Sequence, residues 1–98
     1  MEIISNDNRA DFTIVGRLDT NTSYQLSEYL EGFSDDDWRN IRIDMSECEY
    51  VSSAGLRVIV SMQKKVSAQK GSLVFCNVLP EVMDVFEMTG FVHILTLQ

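Results

Sequence analysis

Residues 41–66 read IRIDMSECEYVSSAGLRVIVSMQKKV, and the change of period inside that stretch decides the fold. Ile41, Ile43 and Met45 alternate with Arg42 and Asp44, the period-two pattern of a strand with one buried face. Further on, Val58, Ile59, Met62 and Val66 recur at helical spacing, which predicts a helix over about residues 53–69 that ends near Gly71. Between them, residues 46–51 read as a loop. A strand followed by a helix is half of a parallel crossover unit.

Working outward, the same unit repeats. Leu73-Val74-Phe75-Cys76 is a continuous apolar run, the pattern of a strand covered on both faces. Pro80 suits the first turn of a third helix, Glu81 and Asp84 suit its positive end, and Val82, Val85 and Phe86 supply its buried face. Gly90 is placed to take a left-handed cap from which Phe91 packs back on Phe86, and residues 92–95 read as a last strand. Toward the N-terminus, Phe12-Thr13-Ile14-Val15 reads as a strand ended by Gly16. Residues 1–4 are expected to pair with it through a turn at Asn6-Asp7-Asn8. Thr22 and Gln25 have capping-box spacing, and Leu26, Leu30 and Phe33 mark a first helix over about 22–33, with Gly32 weakening its last turn. The order strand, strand, helix, strand, helix, strand, helix, strand predicts an α/β fold with right-handed crossovers, a largely parallel sheet and three helices packed on it.

Ninety-eight residues suit one compact domain, 1–98, that buries roughly two thirds of the surface of its unfolded chain. With 45% hydrophobic residues the chain is globular rather than disordered. Its apolar runs are too short to span a membrane, and MEIISNDNRADF has neither the basic segment nor the apolar stretch of a signal peptide, so a soluble cytoplasmic protein is expected. Fifteen acidic against eight basic side chains give a net charge of −7, which disfavours nucleic acid and anionic membrane as partners and favours encounter with a basic protein surface.

Little points to catalysis or metal. Cys48 and Cys76 lie far apart in apolar or strand-like stretches and read as reduced, partly buried small hydrophobes rather than a disulfide or metal site. His93 stands alone and reads as a structural histidine on the last strand, and Asp35-Asp36-Asp37 as a solvated acidic loop. Ser61-Met62-Gln63-Lys64 matches the SxxK spacing of certain serine enzymes but lies inside a helix without the partner motifs. A Ser53/His93/Asp44 triad has no support in the spacing, and no phosphate-binding loop or dinucleotide motif is present. No enzyme activity, cofactor or metal is expected.

Function concentrates in Asp44-Met45-Ser46 and the segment Tyr50-Val51-Ser52-Ser53-Ala54-Gly55-Leu56-Arg57-Val58. Two serines stand where the second helix begins. One reading of both is plain helix capping. The other is modification: the first amides of a helix lack partners and favour anions, so a phosphate here is compatible with the fold while adding nearly two negative charges to an exposed surface. Ser53, Ala54 and Gly55 are small and let another chain approach the backbone.

In these segments the chain resembles the STAS domains and, among them, the bacterial anti-sigma factor antagonists. The resemblance runs through Gly16-Arg17-Leu18-Asp19-Thr20, Asp44-Met45-Ser46, Ser52-Ser53-Ala54-Gly55-Leu56-Arg57-Val58, Leu79-Pro80-Glu81-Val82 and Thr89-Gly90-Phe91. It implies a mixed, mostly parallel sheet of four or five strands flanked by about three helices. It also implies an anti-sigma factor that is itself a serine kinase as partner, and a PPM-type phosphatase that reverses its action. The family motif is commonly Asp-Ser-Ser/Thr/Ala-Gly-Leu, and alignment on Gly55-Leu56 puts Ser53 at the phosphorylated position. Ser52 stands where the family usually has Asp, which removes a carboxylate and makes Ser52 a competing acceptor. Asp19 matches a polar residue beside the site, with a plain turn residue as its other reading. Arg57 reads either as an interface contact or as a solvated helix residue. The partner-binding set implied is Asp19, Ser52, Ser53, Ala54, Gly55 and Arg57. STAS domains also serve in stress-sensing complexes and transport systems, which is the alternative to sigma-factor control.

Overall fold

The computed structural model describes all 98 residues. The strands are β1 (Glu2–Ser5), β2 (Asp11–Leu18), β3 (Asn40–Asp44), β4 (Cys48–Val51), β5 (Ser72–Cys76) and β6 (Thr96–Leu97). The helices are α1 (Ser23–Glu31), α2 (Ser53–Ala68) and α3 (Pro80–Met88), with 3-10 turns at Asp37–Arg39 and Phe91–His93. The sheet order is β1-β2-β3-β5-β6, with β4 pairing β2. Only β1 is antiparallel to its neighbour. The fold is the mixed, mostly parallel α/β sheet with three helices that the sequence predicts, and its sixth strand is β4, from residues read as a loop.

Each parallel strand after β2 adds to the same edge. With right-handed crossovers, that progression sends every helix to one face of the sheet and leaves no point where the strand order reverses. The register agrees. Phe12, Ile43 and Phe75 form one cross-strand row, and none of the three is exposed. Tyr29 of α1 packs on Phe12 at 4.9 Å between ring centroids, and Phe86 of α3 packs on Phe75 at 6.2 Å. Ile59, Met62 and Val66 bury the inner face of α2, each contributing about 1.5–3 kcal/mol. The row on the opposite face runs Asp11, Arg42, Val74, Thr96; Arg42 and Thr96 are exposed and Val74 is half-buried. The apolar run at 73–76 therefore overstates its cover: β5 is central, but only one of its faces carries helices.

The second departure is at residues 48–51. They continue the ladder along β2, pairing Gly16 with Cys48, Arg17 with Tyr50 and Leu18 with Val51, with a register shift between Gly16 and Arg17. Gly16 holds φ +97°, a conformation glycine adopts without strain. The bulge breaks the two-residue period, so Cys48 and Val51 are buried three apart with Glu49 and Tyr50 exposed between them. That pattern does not read as a strand.

The third departure is the C-terminus. Gly90 does take the left-handed conformation, at φ +78°, but the chain then winds through the 3-10 turn, with Leu95 N donating to Phe91 O at 2.9 Å. The last strand begins only at Thr96 rather than at Val92. His93 is consequently exposed and not on a strand; Phe75 supplies the ring that meets Phe86 edge-on, and Phe91 is half-buried against the core. Pro80 opens α3 as expected.

The acidic loop has a local purpose. Ser34 N donates to Asp37 Oδ2 at 2.9 Å and Asp37 N donates to Ser34 Oγ at 3.2 Å, a reciprocal cap on the turn that buries Trp38. Cys48 and Cys76 are free and buried, and burial pushes the Cys48 thiol up. No helix is long and apolar enough to cross a membrane.

Candidate functional site

Continuation of β2 past the bulge brings its end against the start of α2. Ser52 N donates to Leu18 O at 2.9 Å, which fixes the point where β4 turns into the helix. Ser52 has extended backbone (φ −86°, ψ 174°), and its Oγ accepts from Gly55 N at 3.2 Å while its carbonyl accepts from Leu56 N at 2.8 Å. It is the N-cap of α2 and is 9% exposed. Ser53, one residue on, is the first residue of the helix proper, is exposed, and makes no side-chain hydrogen bond. The two serines therefore differ completely in what their hydroxyls can meet.

Gly55 is required by this same junction. A Cβ at that position would stand 2.8 Å from Leu18 O and 2.9 Å from Leu18 Cγ. Ala54 is buried as well. The close approach that Gly55 permits is thus to the chain's own β2, whereas Ala54 lines the groove between α1 and α2 and Ser53 is exposed. Of the six residues implied as partner-binding, Ser53 and Arg57 are exposed, Asp19 is half-buried, and Ser52, Ala54 and Gly55 are buried.

Asp19 organises the loop after β2. Its Oδ1 accepts from Asn21 N at 3.0 Å and from Thr22 N at 3.1 Å, Thr22 Oγ1 stands 3.1 Å away, and Arg17 Nε lies 3.7 Å from Oδ2. Partial burial pushes the carboxyl up, but the Thr22 and Asn21 hydrogen bonds and the Arg17 charge outweigh it and hold Asp19 below its ordinary 3.8. Thr22 Oγ1 is committed to this loop, accepting from Asp19 N at 2.9 Å and lying 2.6 Å from Arg17 O as its donor. It makes no cap on α1, and Gln25 Oε1 is left buried without a partner, so the expected capping box does not form. The competing Asx-type turn at Asp19 has taken its hydroxyl.

Two features of the site went unnamed in the sequence. The Arg17 guanidinium stacks over the Tyr50 ring at 4.1 Å, and both side chains are exposed beside the junction. Their pairing follows from the β2–β4 ladder, so no local pattern announces it. A groove of about 520 Å³ also runs between α1 and α2, lined by Ser23, Ser27, Ala54, Arg57 and Lys65 among others, with Lys65 Nζ 4.6 Å over Trp38.

The enzyme constellations do not assemble. Asp44 accepts from Ser46 N at 2.9 Å and from Asn77 at 3.5 Å, and neither it nor His93 hydrogen-bonds to Ser53 or to the other. Partial burial pushes the Asp44 carboxyl up, but those bonds and Arg42 hold it below 3.8. Ser61 and Lys64 are solvent-exposed on α2, without a hydrogen bond between them.

Known proteins share both the sequence and the architecture. BtrV of Bordetella bronchiseptica, which bears the name of an anti-sigma factor antagonist, is 35% identical over 79 residues, covering 81% of this chain and 68% of that one. The anti-sigma-B factor antagonist of Bacillus subtilis is 28% identical over 95 residues, covering 97% and 86%. Among solved structures, a Thermotoga maritima protein named in the same class superimposes with a TM-score of 0.81 at 18% identity, covering 98% and 83%. The anti-sigma factor antagonist SpoIIAA in its unphosphorylated form does so at 0.75 and 15%, covering 99% and 86%. The STAS domain model matches residues 1–98. A one-sided helical layer on a mixed sheet, an α2 start locked to the end of β2, and a match along the whole sequence agree: the chain belongs to the STAS domain family.

Proposed function

We propose that this STAS domain is an anti-sigma factor antagonist, acting in the cytoplasm by binding an anti-sigma factor rather than by catalysis, and switched by phosphorylation of Ser53. The names of its relatives support the class. The observation that carries the site is the contrast between the serines: Ser52 spends its hydroxyl on the cap and is buried, whereas Ser53 is exposed and unbonded at the surface.

In this reading the unphosphorylated protein docks the Ser53 end of α2 onto a serine-kinase anti-sigma factor, with Asp19 and the Arg17–Tyr50 pair at the rim. Gly55 contributes by keeping that end close to β2, Ser52 by capping it, and Ala54 by lining the adjoining groove. The Ser53 oxygen bonds to the γ-phosphorus of ATP held by the kinase, the bond from that phosphorus to the ADP oxygen breaks, and the hydroxyl proton passes to a base on the kinase. The chain needs no cofactor of its own. The added charge has to be desolvated to remain in the interface, a penalty of several kcal/mol for an unpaired ion, and the complex is released. A PPM-type phosphatase restores the hydroxyl by hydrolysis.

The test is incubation of the purified protein with a kinase-type anti-sigma factor and magnesium ATP, followed by phosphosite mapping by mass spectrometry and measurement of affinity. Phosphate on Ser53 with loss of binding is the expected result. Phosphate on Ser52 instead would contradict the assignment of the acceptor, and tight binding by Ser53→Asp would contradict the switch.

A further inference from the structure

Arg57 follows Ser53 by four residues on the exposed side of α2. Residues so spaced on a helix are neighbours, about 5–6 Å apart at Cβ. Both line a cleft of about 450 Å³ between α2 and the C-terminal end of α3, together with Leu56, Lys64, Thr89 and Phe91, and no carboxylate lines it. The ion pairs of the chain are Arg17–Asp19, Arg39–Asp36 and Arg42–Asp11, so the Arg57 guanidinium is uncommitted. Although the chain carries a net charge of −7, α2 contains Arg57, Lys64 and Lys65 and no acidic residue. A phosphate on Ser53 would arrive beside a free cation, not among like charges.

We infer that Arg57 is the internal partner of the Ser53 phosphate, so that phosphorylation withdraws Arg57 from the partner-binding surface as well as adding charge to it. Its part in switching rests on Ser53 being the modified residue. Unphosphorylated, Arg57 is free to meet a carboxylate of the partner. Phosphorylated, its fork of donors engages the phosphate oxygens in the same molecule, in the favourable order of acid N-terminal to base. The partner then loses an anchor and faces the residual negative charge. Lys64 lies on the same face but eleven residues from Ser53, about 16 Å along the axis, beyond the screening length of about 8 Å at physiological salt. Glu31 of α1 and Lys65 share the groove on the other flank of Arg57, where Glu31 forms no ion pair with it and Lys65 sits over Trp38. Asp19, at the end of β2, already has Arg17, Asn21 and Thr22.

The experiment uses protein with phosphoserine incorporated at position 53 during translation, so that no kinase is needed to make it. The second ionisation of the phosphate, ordinarily near pH 6, is followed by phosphorus NMR in wild type, Arg57→Gln and Lys64→Gln. A neighbouring cation favours the dianion, so the midpoint falls below about 6 in wild type and in Lys64→Gln and returns toward it in Arg57→Gln. With the kinase-type partner, unphosphorylated Arg57→Gln binds about tenfold more weakly than wild type, while the phosphorylated forms differ less, so the ratio between the two states shrinks. Matching thermal unfolding of unphosphorylated wild type and Arg57→Gln excludes a folding defect. Equal midpoints in wild type and Arg57→Gln would overturn the pair, and an unchanged affinity ratio would overturn its part in the switch. A kinase that never modifies Ser53 would instead overturn the functional reading, with the NMR midpoints still deciding the pair.

Discussion

The first turn of α2 has two sides, and they are built for different purposes. On the inner side Ser52 caps the helix, Gly55 lies against Leu18, and β4 leads in along the edge of β2. On the outer side Ser53 and Arg57 stand one turn apart in solvent, bonded to nothing. A residue on the outer side can therefore change its charge without endangering the fold, which is what the switch proposed at Ser53 requires. The inner side fixes the backbone, so the outer side can change its charge and only a partner notices.

The strongest way to break that division is at Gly55. A side chain there meets the Leu18 backbone, which cannot step aside as a flexible side chain could. Gly55→Val is expected to lose about 3 kcal/mol in chemical denaturation, the upper end for overpacking, and to weaken partner binding because the whole turn shifts. A wild-type unfolding midpoint for this variant would mean that α2 and β2 are not locked together. Next in size is Ser52→Ala, which leaves Gly55 N without its acceptor and is expected to lose about 1 kcal/mol by the same measurement. Glycine at that position should recover most of the loss, which distinguishes a cap from a buried contact.

How much of this was legible depended on whether the signal was local. The strand at 41–45, the helix from 53 and the third helix from Pro80 each carry their own periodicity or cap, and each stands where the sequence puts it. Residues 48–51 do not, because they pair with β2, more than thirty residues earlier, across a bulge that leaves Glu49 without an opposite number. The run at 92–95 is apolar enough for a strand, yet it follows a left-handed Gly90 and closes a turn first. Thr22 and Gln25 have the spacing of a capping box, but Asp19, three residues upstream, competes for the same hydroxyl and wins. The motif placed both serines and Arg57 at the start of α2, where they stand, whereas the difference between Ser52 and Ser53 required the junction with β2. Small size at 55 signalled a close approach without saying that the approaching chain is the protein's own.

A smaller effect separates the loop that flanks the turn from the turn itself. Asp19 and Asp44 both have carboxyls held below 3.8 in the folded protein. Above that value the groups are ionised folded and unfolded, and their stabilisation is fully present. As pH falls through 3.8 toward the lower folded values, the unfolded chain takes up protons first and the stabilisation is lost. Denaturation midpoints are therefore expected to hold between pH 7 and about 5 and to drop below pH 4. Asp19→Asn should reduce that drop, and if its acid profile overlaid that of wild type, the Thr22 and Asn21 hydrogen bonds would not be selecting the ionised form.

The smallest stability change is expected at Ser53. Ser53→Ala removes a hydroxyl that bonds to nothing and should leave stability within about 0.5 kcal/mol. Ser53→Asp places a carboxylate in the first turn of α2, where the helix dipole favours it by about 0.3–1 kcal/mol. Arg57 at i+4 adds a further 0.2–0.5 kcal/mol, roughly, to the same substitution. The aspartate should therefore unfold slightly later than wild type, and Arg57→Gln should remove part of that gain in a double-mutant cycle. Yet the same aspartate is expected to weaken partner binding, so one substitution moves stability and affinity in opposite directions. Only a residue on the outer side of the turn can do that, because every change on the inner side moves both the same way. A Ser53→Asp variant that lost stability and affinity together would merge the two sides, and loss of binding could then be read as damage to the fold.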